Sequence, residues 1–375
     1  MSNALPECPG LEPNTTVSFP PITQRFSCGL HPDYYQILGR HEDWVRRQLL
    51  PNDEVLANKI LKDNLSALFV CMSYYDLDAE KVLDICDLTD WLFIHDNDVA
   101  VLRTDPNNSD STRQAAIKKY LGDLQTMLAG GVPPEMPWAM ESIYDLISRF
   151  RAKSTPAMFE KLVGAFRYYS TVTIGTEASE LLEQKVTDLE SYMDLRSVGG
   201  SSATLFFHVV TEYVLGVDLS PEIVGDELVQ RYWRSVMDHW YLPNDLLSFR
   251  AECARGDHNN AICVLRRTEG LTLQEALDRV ARMIDQCQDD AVRYFEDIQD
   301  SPLAQVPGLL KILETFQHIG AANQRWSYMA PRYHGDGFVW NGVLAGDVRL
   351  TATHTFFPDV PVVADASVES GLLRA

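Results

Sequence analysis

Asn244-Asp245-Leu246-Leu247-Ser248-Phe249-Arg250-Ala251-Glu252 is the stretch on which the rest of the chain turns. Asn244, Ser248 and Glu252 follow each other at intervals of four, so on a helix an amide, a hydroxyl and a carboxylate fall in one stripe. Oxygen donors of that kind suit a hard divalent cation such as Mg²⁺, whose remaining positions are filled by waters and substrate phosphates. A solvated polar helix face would carry the same residue types. Against that, the stripe is threaded through the apolar Leu246, Leu247 and Phe249 and begins just after Trp240, Tyr241 and Pro243.

Around this segment the periodicity is helical almost throughout. Apolar residues at helical spacing occupy 53–75, including Val55, Leu56, Ile60, Leu61, Leu65 and Leu68, and the pattern returns over 81–94. A polar break at 104–111 holds Pro106 and Asn107-Asn108, which is loop chemistry. Helices are then expected over 112–129, 136–152, 156–171, 177–195, 205–216, 221–255, 272–298 and 303–330. A Gly-Gly-Ser-Ser run at 199–202 is expected to interrupt an otherwise apolar helix. No strand alternation precedes residue 335. The fold class is therefore all-α: an arm over 1–30, partly disordered, one helical domain over 31–334 and a tail over 335–375. A helical domain of this size either buries a central hydrophobic helix or encloses a cavity.

Composition bounds the partners. The 375 residues are 46% hydrophobic and carry a net charge of −21. Such a chain repels nucleic acid and anionic membrane, so a polyanionic ligand would have to be held by a few placed arginines and metal ions. The seven cysteines are dispersed, with no CxxC pair, which suits reduced thiols. The absence of an apolar leader or a run of about 18–20 apolar residues gives a cytoplasmic expectation with no membrane span.

Three further segments fit one chemistry. Trp91-Leu92-Phe93-Ile94-His95-Asp96-Asn97-Asp98-Val99-Ala100 is an aromatic-apolar run leading into acids; Arg196-Ser197-Val198-Gly199-Gly200 joins an arginine to a glycine pair; Trp326-Ser327-Tyr328-Met329-Ala330-Pro331-Arg332-Tyr333 ends in a guanidinium and a phenol, both suited to phosphate oxygens. Taken with the 244–252 stripe, these segments resemble, in order, the aspartate-rich motif, the diphosphate sensor and effector, the NSE motif and the terminal Arg-Tyr pair of class I terpene synthases. The similarity is to the short, single-domain form of bacteria and fungi, and it spans 91–333.

That resemblance implies a lyase of secondary metabolism. It would use Mg²⁺, three ions in the family, to ionise a prenyl diphosphate, with farnesyl diphosphate preferred, and cyclise the cation to a sesquiterpene hydrocarbon or alcohol. It implies that Asp96 holds two ions and Asn244, Ser248 and Glu252 the third. Arg196, Arg332 and Tyr333 would grip the diphosphate, and the Gly200 carbonyl would act with Arg196 and Asp96 in catalysis. Phe93, Phe206 and Trp326 are the aromatic candidates for the cation cavity, since ring faces attract cations; ordinary core packing is the alternative for each. Two positions depart from the family: Ala100 stands where an acid is common, and Ala251 where lysine is common. A chain-elongating prenyl transferase and an inactive isoprenoid-binding protein remain the alternatives, and a homodimer is left open.

Overall fold

The computed structural model describes residues 15–104, 110–132, 138–174, 186–254, 260–334 and 345–349. These form two compact units. One comprises residues 1–30, 182–197 and 221–375, and the other residues 31–181 and 198–220.

The second unit contains α1 (Tyr34–Trp44), a π-helical turn at Val45–Leu49, α2 (Glu54–Asn64), α3 (Ser66–Ser73), α4 (Ala79–Thr104), α5 (Asp110–Leu128), α6 (Trp138–Lys153), α7 (Pro156–Ile174) and the C-terminal part of α8 (Leu189–Leu215). Where the periodicity predicts one helix over 53–75, two form. Leu65 takes a left-handed φ of 50° between α2 and α3 and ends the first. All eight residues of α3 are buried, and it packs on α4, which also meets α1 and α6.

Helix α4 is unusual in burying three carboxylates, Asp84, Asp87 and Asp90. Spaced by three, they lie close together on one face, and each has a cation. Arg149 forks onto Asp84 and Asp87 at 2.8 Å each, and Lys153 reaches Asp84 at 2.8 Å. His41 lies between Asp87 (2.7 Å from Nδ1) and Asp90 (2.9 Å from Nε2). Burial opposes the imidazolium, but its two carboxylate partners prevail and hold its pKa at about 10. His41 is therefore charged, and three cations face the three buried carboxylates.

The first unit is built on α10 (Glu227–Ala254), which packs along α12 (Leu273–Gln299) and α13 (Leu309–Met329), with α9 (Pro221–Val224), α11 (Ala261–Glu269) and α14 (Pro331–His334) around it. Leu246, Leu247 and Phe249 of α10 are fully buried with Val264, Leu265, Leu277, Val280 and Ile284. Caps fix the helix starts: Thr272 and Glu275 form a reciprocal capping box at α12, and Asn260 caps α11. Residues expected in the N-terminal arm are docked here: β1 (Thr16–Phe19) pairs antiparallel with β2 (Gly346–Arg349), Val17 opposite Val348, and Val17, Phe19, Ile22 and Phe26 are buried.

The expected interruption at 199–202 is not seen. Helix α8 runs unbroken from Leu189 to Leu215 through Gly199 and Gly200. Two helical glycines cost roughly 1 kcal/mol each, and the buried residues at both ends, from Tyr192 and Met193 to Val209, Val210 and Tyr213, hold the helix through them. Among the described residues no helix is long and apolar enough to cross a membrane.

Candidate active site

The polar stripe of α10 is where the sequence puts it. Pro243 lies inside the helix and brings no N–H to the ladder; within this turn the Asn323 side chain donates to the Trp240 carbonyl at 3.0 Å. Asn244 follows. Its Nδ2 donates to the Tyr333 hydroxyl at 2.9 Å, and its Oδ1 accepts from Arg196 Nη2 at 3.2 Å. Three of the four predicted segments therefore converge in the first unit: the stripe, the sensor arginine and the terminal Arg-Tyr pair.

Ser248 is 5% exposed, and its Oγ has no hydrogen-bond partner of normal geometry among the described residues. It acts on the Glu252 carboxylate one turn on, and a ligand at the stripe would complete its bonding. Glu252 is half-buried. Burial, and after it the Asp245 charge, pushes its carboxyl up to about 7 against the pull of Asn260, Arg196 and Ser248. A cation placed at this carboxylate would reverse that shift. The donor set of amide oxygen, hydroxyl and carboxylate fits a hard divalent ion.

Asp245 is fully buried and lies off the stripe, about 100° round the helix from Asn244. Three donors meet on its carboxylate: Tyr192 OH at 2.6 Å, Arg196 Nη2 at 3.1 Å and the Ala261 amide at 3.1 Å. Burial pushes this carboxyl up while Arg196, Tyr192 and the Ala261 amide oppose it. Arg196 also stacks over the Tyr241 ring, 5.2 Å from its centroid. Burial disfavours its charge, but Tyr192, Asp245 and Glu252 outweigh that and keep its pKa above the ordinary arginine value. Tyr192 and Asp245 carry no role in the sequence reading. Tyr192 stands four residues before Arg196, so their shared helix face was a usable signal.

Tyr333 is buried with its ring edge-on to Trp326 at 5.3 Å, and the Arg332 guanidinium lies 5.8 Å from the Trp326 ring and 5.5 Å from the Tyr333 ring. Arg250 stands next to Ala251. It is buried, donates to His334 Nδ1 at 2.9 Å and lies 5.0 Å over the Phe19 ring, while His334 Nε2 bonds the Ser327 carbonyl at 2.9 Å.

The remaining predicted residues belong to the second unit. The backbone of Asp96 continues α4, and the side chains from His95 to Ala100 lie outside the described residues. Gly200 is inside α8. Phe93 is half-buried on α4. Phe206 is buried among rings, 5.1 Å from Phe166 and 5.2 Å from Tyr169, and Phe166 lies 5.6 Å from Trp91. Among the described residues no three or more His, Cys, Asp and Glu side chains gather as a metal site; the stripe offers a single carboxylate.

Comparison with known proteins agrees with this geometry. Residues 87–290 match the family model described as terpene synthase family 2, C-terminal metal binding. The (3S,6E)-nerolidol synthase of Selaginella moellendorffii is 24% identical over 353 residues, 93% of this chain and 90% of that protein. Sesquiterpene synthase 6 of Postia placenta is 30% identical over 218 residues, 58% of this chain and 61% of that protein. Among solved structures, germacradien-4-ol synthase from Streptomyces citricolor shares the fold with a TM-score of 0.64 at 16% identity, covering 82% of this chain and 98% of that one. With the matched model covering more than half of the sequence, the all-helical architecture and the oxygen stripe of α10, the chain belongs to terpene synthase family 2 and is a class I terpene synthase that uses divalent metal.

Proposed function

We propose that this terpene synthase uses Mg²⁺ to ionise farnesyl diphosphate and cyclises the cation to a sesquiterpene. The observation that carries the proposal is the convergence on Asn244. Its amide lies on the same stripe as the buried Ser248 hydroxyl while bonding both the Arg196 guanidinium and the Tyr333 phenol. Asn244, Ser248 and Glu252 would hold one ion. The others, three in all by family resemblance, are assigned to Asp96 on its motif alone. The metal supplies Lewis-acid stabilisation of the departing diphosphate.

The chain's own residues supply the rest. Arg196, fixed by Asp245 and Tyr192, and the Arg332-Tyr333 pair provide donors oriented before the charge develops, which is where electrostatic stabilisation is most effective. Gly200 is assigned the effector role on its motif alone, since α8 is unbroken there and keeps its carbonyl within the helix. Phe93, Phe206 and Trp326 are assigned to the apolar walls that exclude water and offer ring faces to the cation. A net charge of −21 makes the diphosphate a poor ligand without metal. The Postia placenta relative named as a sesquiterpene synthase favours a C15 substrate.

Separate incubation with C10, C15 and C20 diphosphates and Mg²⁺, followed by gas chromatography, should give cyclic C15 products and none after chelation with EDTA. Longer linear chains formed on addition of isopentenyl diphosphate would identify a prenyl transferase instead. Absence of diphosphate release from all three substrates would identify an inactive protein.

A further inference from the structure

Asn260 is the first described residue after the stripe helix, and it is completely buried. All of its hydrogen-bonding capacity on view is directed. Nδ2 donates to the Asp245 carbonyl at 2.8 Å and to Glu252 Oε2 at 2.8 Å, while Oδ1 accepts from the Ile262 amide at 2.9 Å as the cap of α11. The amide has one orientation. The Ile262 N–H can only donate, so oxygen must face it, and a carbonyl and a carboxylate can only accept, so both N–H groups must face them. The neighbouring Ala261 amide donates to the Asp245 carboxylate at 3.1 Å. The start of α11 is thus tied to the stripe helix at the residue next to Asn244 and at Glu252.

We infer that Asn260 is a positioning residue for the metal site: by holding Glu252 Oε2 it presents Oε1 to the ion, an inference that rests on the metal role proposed for Glu252. Three features support it. Glu252 is the single carboxylate of the stripe, so its orientation sets where the site's negative charge lies. It stands near the end of a long helix and has three rotatable bonds before the carboxylate, freedom that a ligand must lose on binding a metal. And the group restraining it is a neutral donor fixed at its other two contacts, which orients the carboxylate without competing for the ion as a cation would. Partners of metal ligands commonly contribute 10–100-fold in affinity through such orientation.

The test is Mn²⁺ binding by the full chain with inorganic pyrophosphate, followed by electron paramagnetic resonance. Asn260→Ser keeps a capping hydroxyl for α11 and removes the donation to Glu252; about 10-fold weaker Mn²⁺ binding is expected. Val264→Ala, an apolar core truncation on the same helix that removes no hydrogen-bonding group, should lower stability and leave the affinity unchanged. In a Glu252→Gln background, Asn260→Ser should weaken binding no further. If Asn260→Ser does not fold by circular dichroism, Asn260→Thr, which fills more of the volume and also caps, is measured against the same outcomes. Wild-type affinity in the Asn260 variant, with Glu252→Gln weakened, overturns the inference and leaves the metal role standing. So do equal losses in Val264→Ala, or additive losses in the double variant. Wild-type affinity in Glu252→Gln overturns the metal role itself.

Discussion

Arg196 donates from Nη2 to Asn244 Oδ1 at 3.2 Å, and the same nitrogen lies 3.1 Å from Asp245 Oδ1. A residue assigned to the diphosphate is thus bonded directly to a residue assigned to the metal, and a fully buried carboxylate holds the arginine in place. Asn244→Ala would remove the oxygen on which these roles meet and leave the apolar side of α10 untouched. Product formation should fall by about 100-fold or more with the thermal midpoint nearly unchanged. Gas chromatography of the products beside a melting curve checks both, and wild-type turnover would refute the assignment.

Asp245→Asn separates support from contact. It removes the charge on which Arg196 and Tyr192 converge and leaves a guanidinium that is 31% exposed short of its anion. Breaking one side of a fully buried pair costs about 3–5 kcal/mol, and solvent screening of the part-exposed arginine brings the expected loss to about 1–3 kcal/mol. Urea unfolding should show that loss, and the KM for the prenyl diphosphate should rise because Arg196 loses its anchor.

The His41 clamp makes stability depend on pH. Its folded-state pKa of about 10 lies above the ordinary histidine value of 6.5. The stabilisation is therefore complete below about 6.5 and is lost as pH rises through about 10. His41→Gln should be markedly less stable than wild type at pH 6, and the gap should close above pH 10. Melting temperatures of the two proteins across pH 6–11 test this; a constant gap would mean that His41 is neutral in the fold.

Gly320 tests the packing of α13 on α10. A Cβ there would come within 2.9 Å of His239 Nδ1 and 3.1 Å of Trp240 Nε1, both on ring side chains that are buried. Gly320→Ala should therefore destabilise by about 1–3 kcal/mol, although alanine is the better helix former in isolation. Chemical denaturation reads the sign directly, and a gain in stability would show that the rings move aside at little cost.

By itself the sequence determined the helical class, most helix positions and the alignment of Asn244, Ser248 and Glu252, because a 3.6-residue repeat carries apolar and polar faces in a form that survives without neighbours. It also determined the order of the four segments, and with it the family. What it could not determine depended on partners distant in the chain. Asp245 lies off the stripe, and its part in the site exists only where Tyr192 and Arg196 of one helix and Ala261 of another meet it. Thr16–Phe19 becomes a strand because residues 346–349 supply its backbone hydrogen bonds. The glycine pair at 199–200 suggested a break because local propensity disfavours it by roughly 2 kcal/mol; burial on both sides outweighs so small a term. His41 looks like an ordinary histidine until Asp87 and Asp90 close on it. In each case an energy of a few kcal/mol arises from contacts between segments, and no local pattern of residues encodes it.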